Sequence, residues 1–412
     1  MDGDPNRWDH GSPGGCAGGT PVNRAITTSA VHGGRDQFRA LGVHAPPIDR
    51  STTNPLTSLE DGTASLDAMA AGGHPQGSSV YARLHNPTVA RWETAIAELE
   101  GADEAVAYGS GMAAVTAVLL AAGAVGGHVV AVRPLYGTTD HLLASGLLRC
   151  EVTWAAFDGV ADAVRDDTAL VVAETPANPT LRLLDLEALV AAAGDVPVLI
   201  DNTFATPVLQ QPLRHGVAWS LHSATKALSG HGDVMAGVVA TSTDRAGALR
   251  QVRILTGAVL DPEAAYLLHR SLPTLPLRVH AAQANAELLA GRLVEHPAVT
   301  AVHFPGLPGA DPAGLVGTQM AGPGTMLAFD LVGGHDAAAG VMKSVGLITP
   351  AVSLGSTDSL IQHPAGLTHR LVSDEGRAAG GITPGMLRLS VGIEDVEDLW
   401  DDLAAALDLV TG

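Results

Sequence analysis

Lysine is nearly absent from this chain. Among 412 residues there are only two, Lys226 and Lys343, and the other 21 of its 23 basic residues are arginine. Aromatic residues make up only 3%. No stretch concentrates positive charge, and the formal net charge is −20. Nucleic acid and anionic membrane are therefore not expected as partners, and any anionic ligand must be held by a few placed groups. The two cysteines, Cys16 and Cys150, lack metal-type spacing, which argues against a structural disulfide and suits a reducing cytoplasm. The opening MDGDPNRWDHGSPGGCAGGTP has no signal-peptide apolar region, and residues 1–24 read as a disordered tail. The most apolar run, AAVTAVLLAAGAVGGHVVAV from Ala113, is broken by glycines and a histidine, so it reads as a helix followed by a strand and not as a membrane span.

What is present is an alternation of short apolar strands with helical patterns. EAVAY (Glu104 to Tyr108), HVVAV (His128 to Val132), ALVVAE (Ala169 to Glu174) and VPVLID (Val196 to Asp201) each end in a turn rich in special residues. This predicts an α/β protein with a large, mainly parallel, doubly wound sheet over residues 61–261. After a helical stretch from Pro262 to His296, TMLAFDLVG and MLRLSVGI predict the strands of a smaller C-terminal α/β domain over residues 262–412. DVEDLWDDLAAALDLV predicts a terminal amphipathic helix. Gly111, Tyr136, Asn178 and Asp201 all fall just after strands. The ligand crevice of an open α/β sheet lies outside the carboxyl ends of its strands, so four strands point at one place.

Lys226 sits in SLHSATKALSGHGD among small residues, with Ser223 and Thr225 beside it. A desolvated lysine amine is a nucleophile suited to a Schiff base with a carbonyl, and the hydroxyls suit a phosphate. A solvated surface lysine is the alternative. GSGMAA (Gly109 to Ala114) is a strand-to-helix turn whose amides can approach a phosphate, or a tight turn without a ligand. Asp201 is either a carboxylate for a protonated ring nitrogen or a turn former. Tyr136 either stacks on a planar ring or packs in a core. His222, His231 and Asp233 lack short ligand spacing, so packing and hydrogen bonding are expected of them and no metal.

These stretches, with YARLHNPT (Tyr81 to Thr88), PLYGTTDH, ETPANPT, IDNTFATP, AVSLGSTDSLIQHPAGLTH and LRLSVGIEDVEDL, resemble in order the Cys/Met-metabolism family of pyridoxal-phosphate enzymes, over about Ala25 to Leu407. The resemblance implies fold type I and pyridoxal 5'-phosphate as cofactor. It implies that Lys226 anchors the cofactor and serves as acid and base. Asp201 would pair with the ring nitrogen, and Tyr136 would stack on the ring and assist departure of the γ-substituent. Gly111, Met112, Ser223 and Thr225 would hold the phosphate, with Tyr81 and Arg83 reaching it from a neighbouring subunit. Arg388 would grip the substrate carboxylate, with Ser353 and Asn178 nearby. It further implies a homotetramer, a dimer of dimers with shared active sites, in which residues 25–60 form an arm on the neighbouring subunit.

Within the family, TGAVLDP, LSGHGD and QHPAGLTH look most like methionine γ-lyases. Thr138, Arg253, Ile254 and His85 depart from their usual residues. Thr138, Arg253 and Ile254 lie where substrate selectivity is thought to be set. His85 either reaches the active site of a neighbouring subunit or packs at the interface, and packing is the favoured expectation. The expected reaction is γ-elimination of methionine, cystathionine or homocysteine to a 2-oxo acid, ammonia and a thiol. The alternatives are γ-replacement and a non-enzymatic binding module.

Overall fold

In the computed structural model, which describes residues 24–411, seven strands build the large sheet. They are β1 (Glu104–Tyr108), β2 (His128–Val132), β3 (Glu151–Ala155), β4 (Thr168–Glu174), β5 (Val198–Asp201), β6 (Trp219–His222) and β7 (Gly237–Thr241). Their order is β1-β7-β6-β5-β4-β2-β3, and β7 alone runs antiparallel to its neighbours β1 and β6. The strands are continuous apolar runs because helices cover both faces. On one face, Gly111–Ala121 and Thr243–Thr256 pack over Val106, Leu170, Leu199 and Leu221. On the other, Pro87–Glu100 and Pro262–Ser271 bury Trp92, Ile96, Leu99 and Leu268.

Local chemistry sets these elements. Asn86 caps its helix by accepting from the Thr88 and Val89 amides, and Pro87 occupies the first helical position, where no amide is needed. Ser110 caps the next helix through the Ala113 amide. Trp92 has no exposed surface, and truncating such a side chain costs about 3–5 kcal/mol. The N-terminal helix Ile26–His32 packs on Pro87–Glu100 and buries Ser29 and Ala30. The expected tail, apart from Arg24, lies outside the described residues, as does Cys16.

The second sheet holds β8 (Val299–His303), β9 (Met326–Leu331), β10 (Thr349–Pro350), β11 (Leu360–Gln362) and β12 (Met386–Ser390), in the order β10-β11-β12-β9-β8. Only β10 and β11 pair in parallel. Leu275–Val294 and the terminal helix Val396–Asp408 pack on it, the latter through Leu399, Leu403 and Leu407 at helical spacing. Three strands of the large sheet, β3, β6 and β7, have no counterpart among the four predicted. β6 is only four residues, and β7 follows directly on the glycine-rich lysine segment. No helix among the described residues is long and apolar enough to cross a membrane.

Candidate active site

A cavity of about 350 Å³ opens at the carboxyl ends of the parallel strands and is closed by residues from the second sheet. The turn after β1 forms one wall. There the helix Gly111–Ala121 begins, and its first amides have no intrahelical acceptor. A Cβ on Gly111 would lie 2.9 Å from the Cβ of Ser223, so only glycine allows the helix N-terminus to approach that hydroxyl. Met112 and Thr225 line the same end. Thr225 accepts from the Ala236 amide at 3.0 Å, which fixes the turn that carries Lys226.

Tyr136 follows β2, lines the cavity and remains 37% exposed. The next residue must be glycine, since a Cβ on Gly137 would stand 2.0 Å from the Thr368 carbonyl oxygen. β4 ends in Glu174, a cavity residue that sequence reasoning missed. Its two carboxyl oxygens accept from the backbone amides of Tyr136 (2.7 Å) and Asn178 (2.9 Å). Burial, and then the neighbouring Asp201, push the Glu174 carboxyl well above the usual range. Asp201 sits directly opposite Glu174 in the β4–β5 register. Burial also raises the Asp201 carboxyl, opposed by Thr203, whose hydroxyl (2.5 Å) and amide (3.1 Å) both donate to Oδ1.

Lys226 donates from Nζ to Ser353 Oγ at 3.0 Å. Burial, and then the nearby Arg388, hold its amine below the ordinary lysine value. Arg388 arrives from β12 and is only 2% exposed. It donates to Asn178 Oδ1 at 2.8 Å and to the Ser353 carbonyl at 3.1 Å, and its guanidinium lies 5.7 Å from the Phe204 ring. Burial pushes it down to about 10, against the pull of Glu174. Its Nε has no partner among the described residues.

Nine of the sequence-predicted residues thus line one cavity: Gly111, Met112, Tyr136, Asn178, Asp201, Ser223, Thr225, Lys226 and Arg388. Ser353 joins them through Lys226. Tyr81 and Arg83 do not. Tyr81 is 45% exposed, and Arg83 donates to the Ile254 carbonyl at 2.6 Å, away from the cavity of its own chain. His85 packs with its Nδ1 2.9 Å from Ser79 Oγ, and burial pushes its imidazole down to about 4. Arg253 is buried in a pair with Glu93 at 2.5 Å and also donates to the Ala107 carbonyl. No group of three or more His, Cys, Asp or Glu side chains among the described residues could hold a metal ion. Besides Glu174, the sequence reading missed Thr203, Phe204, Met235, Val352 and Thr368. Glu174 alone carried a signal: like Asp201, it is the acidic end of an apolar strand.

Pyridoxal 5'-phosphate fits these residues. A lysine amine with a lowered pKa stands in the cavity, a buried carboxylate closes one end, and a helix N-terminus with a glycine cradle and two hydroxyls forms the anion end. An arginine with an unpartnered Nε remains for a substrate carboxylate.

Comparison with known proteins agrees. The family model described as Cys/Met metabolism PLP-dependent enzyme matches residues 27–408. An L-methionine gamma-lyase of Brevibacterium sandarakinum is 58% identical over 384 residues, 92% of this chain and 97% of that protein. An L-methionine gamma-lyase of Streptomyces avermitilis is 57% identical over 402 residues, 97% of this chain and 93% of that one. Among solved structures, cystathionine gamma synthase from Xanthomonas oryzae pv. oryzae in complex with cystathionine superposes with a TM-score of 0.87 at 35% identity, covering 95% of this chain and 99% of that one. The match spans both sheets and every cavity residue, and the chain belongs to the Cys/Met-metabolism family of pyridoxal-phosphate-dependent enzymes.

Proposed function

We propose that the chain is a γ-lyase that converts L-methionine and water to 2-oxobutyrate, ammonia and methanethiol, with homocysteine and cystathionine as poorer substrates. The observation that carries this reading is the division of charge in the cavity. Its ionisable groups besides Tyr136 are Glu174, Asp201, Lys226 and Arg388, and the apolar part of its wall includes Val115, Met235, Val352 and Leu354, of which Met235 and Val352 are exposed. Arg388 serves one carboxylate. No charged group remains for the distal amino-acid head of cystathionine, whereas a thioether suits the apolar wall.

Bound pyridoxal phosphate supplies an aldehyde for the substrate amine and a ring that draws electrons away from Cα. The protein residues do the rest. Arg388 holds the α-carboxylate through its fork. Lys226, its amine held below the ordinary lysine value by burial, takes the proton from Cα and relays one from Cβ. Asp201 keeps the ring nitrogen protonated. The Tyr136 hydroxyl gives a proton to the departing sulfur at Cγ. Ser353 and Asn178 fix Lys226 and Arg388 at hydrogen-bonding distance.

The same reading extends to a cytoplasmic homotetramer in which Tyr81 and Arg83 reach the phosphate site of a neighbouring copy. Their placement at the surface supports it, with Arg83 stacked 5.6 Å over the Tyr81 ring. The test is 2-oxobutyrate release from L-methionine by the pyridoxal-phosphate-loaded protein, beside L-cystathionine and beside an O-acylhomoserine with a thiol. The expected order places methionine first, and Lys226→Ala should lose both turnover and the visible cofactor band. A protein that forms thioether from O-acylhomoserine but releases no 2-oxobutyrate from methionine is a γ-replacement enzyme instead.

A further inference from the structure

Behind Asp201, on the far face of the large sheet, lies a buried acid–imidazole pair that the scheme above does not use. Side chains alternate along a strand. Leu221 and Asp201 face the cavity, so His222 and Asn202 face away from it. His222 is 1% exposed, and its Nε2 lies 2.5 Å from Oε1 of Glu100, which has no exposed surface. Glu100 ends the helix Pro87–Glu100. The same carboxylate oxygen accepts from Asn202 Nδ2 at 3.2 Å, and Asn202 also donates to the Gln210 carbonyl at 2.8 Å. In sequence, Asn202 follows Asp201 and His222 precedes Ser223. The pair therefore holds the ends of the two strands that present the ring-nitrogen carboxylate and the phosphate hydroxyls.

As a purely structural network this one is poor. Glu100 Oε2 and His222 Nδ1 are buried without a partner among the described residues. Neutral, fully paired groups would hold the strand ends at lower cost. A positive His222 ring would offset the buried Glu100 carboxylate beside it, which hydrogen bonds from neutral groups alone do not. Burial acts against ionisation of Asp201, while the Thr203 donors and a positive His222 act for it. The other charged groups near Asp201 are Glu174 beside it and Lys226 and Arg388 on the cavity wall. Glu100 is the acidic group hydrogen-bonded to His222 on its own side.

We infer that Glu100 and His222 form a positioning pair, in which Glu100 holds a protonated His222 behind Asp201 so that Asp201 stays ionised for the cofactor's ring nitrogen. This rests on the reading of Asp201 given above. The test compares His222→Asn, Glu100→Gln and Asp201→Asn. It measures the dissociation constant of pyridoxal phosphate from pH 5 to 9, the pH titration of the visible band, and the Tm of each apoprotein. His222→Asn keeps a donor and removes the charge. It should weaken cofactor binding tenfold or more near pH 6 and move the acid limb of binding to higher pH, with a smaller loss at pH 9. Glu100→Gln should move the limb in the same direction, and it decides the matter if His222→Asn does not fold. A lowered Tm with an unmoved acid limb in the folded variants would show a structural role only and overturn the inference. If Asp201→Asn itself leaves affinity and band unchanged, the reading of Asp201 fails and the inference with it. If Asp201→Asn weakens binding while the pair's variants do not move the limb, the inference alone fails.

Discussion

Replacing Glu174 with glutamine tests how the cavity is assembled. Glu174 accepts two backbone amides, Tyr136 N at 2.7 Å and Asn178 N at 2.9 Å. A carboxyl group accepts through both oxygens whether or not it is ionised, because the protonated oxygen keeps a lone pair. A glutamine amide nitrogen cannot accept. Glu174→Gln therefore leaves one of the two amides facing a donor inside a site that is 4% exposed. An orphaned buried donor costs about 1–3 kcal/mol. For a chain of 412 residues, at about 2.1 cal/mol/K per residue, that is a fall in Tm of about 1–3 °C. The catalytic cost is larger, because the displaced amide carries either Tyr136 or Asn178. A shift of about 1 Å at a reacting group costs about a hundredfold in rate. The expected result is a 10- to 100-fold fall in kcat if the Tyr136 amide is released. If the Asn178 amide is released, KM rises instead, since Asn178 Oδ1 is the acceptor that orients Arg388 at 2.8 Å. Steady-state kinetics with L-methionine and thermal scanning separate the two. Wild-type kcat and KM together with an unchanged Tm would refute the clamp.

Other outcomes follow from the same geometry. Arg388→Lys removes one arm of a charge-assisted fork worth about 1.5–3 kcal/mol, so the KM for L-methionine should rise about 10- to 100-fold with a smaller change in kcat. An unchanged KM would remove Arg388 from the carboxylate site. Gly111→Ala places a methyl 2.9 Å from Ser223 Cβ, so the anion end must open, and fluorescence titration should show cofactor binding weakened at least about tenfold. Equal affinity would place the phosphate elsewhere. The acid response follows from His85 and His369, both pushed down to about 4 by burial from an ordinary 6.5. The unfolded chain takes up these protons first as pH falls, so stability is complete above pH 6.5 and is lost between 6.5 and 4, by up to about 3 kcal/mol for each group. A His85→Gln, His369→Asn double variant should show a flatter fall in Tm over that window, and a slope equal to wild type would assign the acid loss to other groups.

Much of the large sheet is legible because a fully buried parallel strand has little freedom of composition. EAVAY, HVVAV and ALVVAE are apolar apart from one terminal residue each, and helices cover both of their faces. The antiparallel β7 is not legible in the same way. GVVAT looks like any buried strand, and its direction is set by the turn that carries Lys226 back across the sheet. The edge strand β3 keeps one residue exposed and the rest only half-buried, so its alternation is weak.

The site divides along a related line. Residues that end an apolar strand announce themselves by polarity, which is how Asp201 and the turn at Gly111 can be read. Lys226 stands out through the scarcity of lysine. Arg388 cannot be placed by local pattern, because its partners Asn178 and Ser353 are 210 and 35 residues away and lie on other elements. Only the ordered resemblance brings it to the site before the fold does. Glu174 shows the limit most clearly. It has the same strand-ending position as Asp201, yet its contacts are to two backbone amides, and a backbone amide leaves no trace in residue identity. The side chains that meet the substrate are constrained by chemistry and can be recognised by type. Those that hold the backbone in place, Glu174 in front of the sheet and the Glu100–His222 pair behind it, are constrained by geometry across 38 and 122 residues of chain, and only the folded molecule displays them.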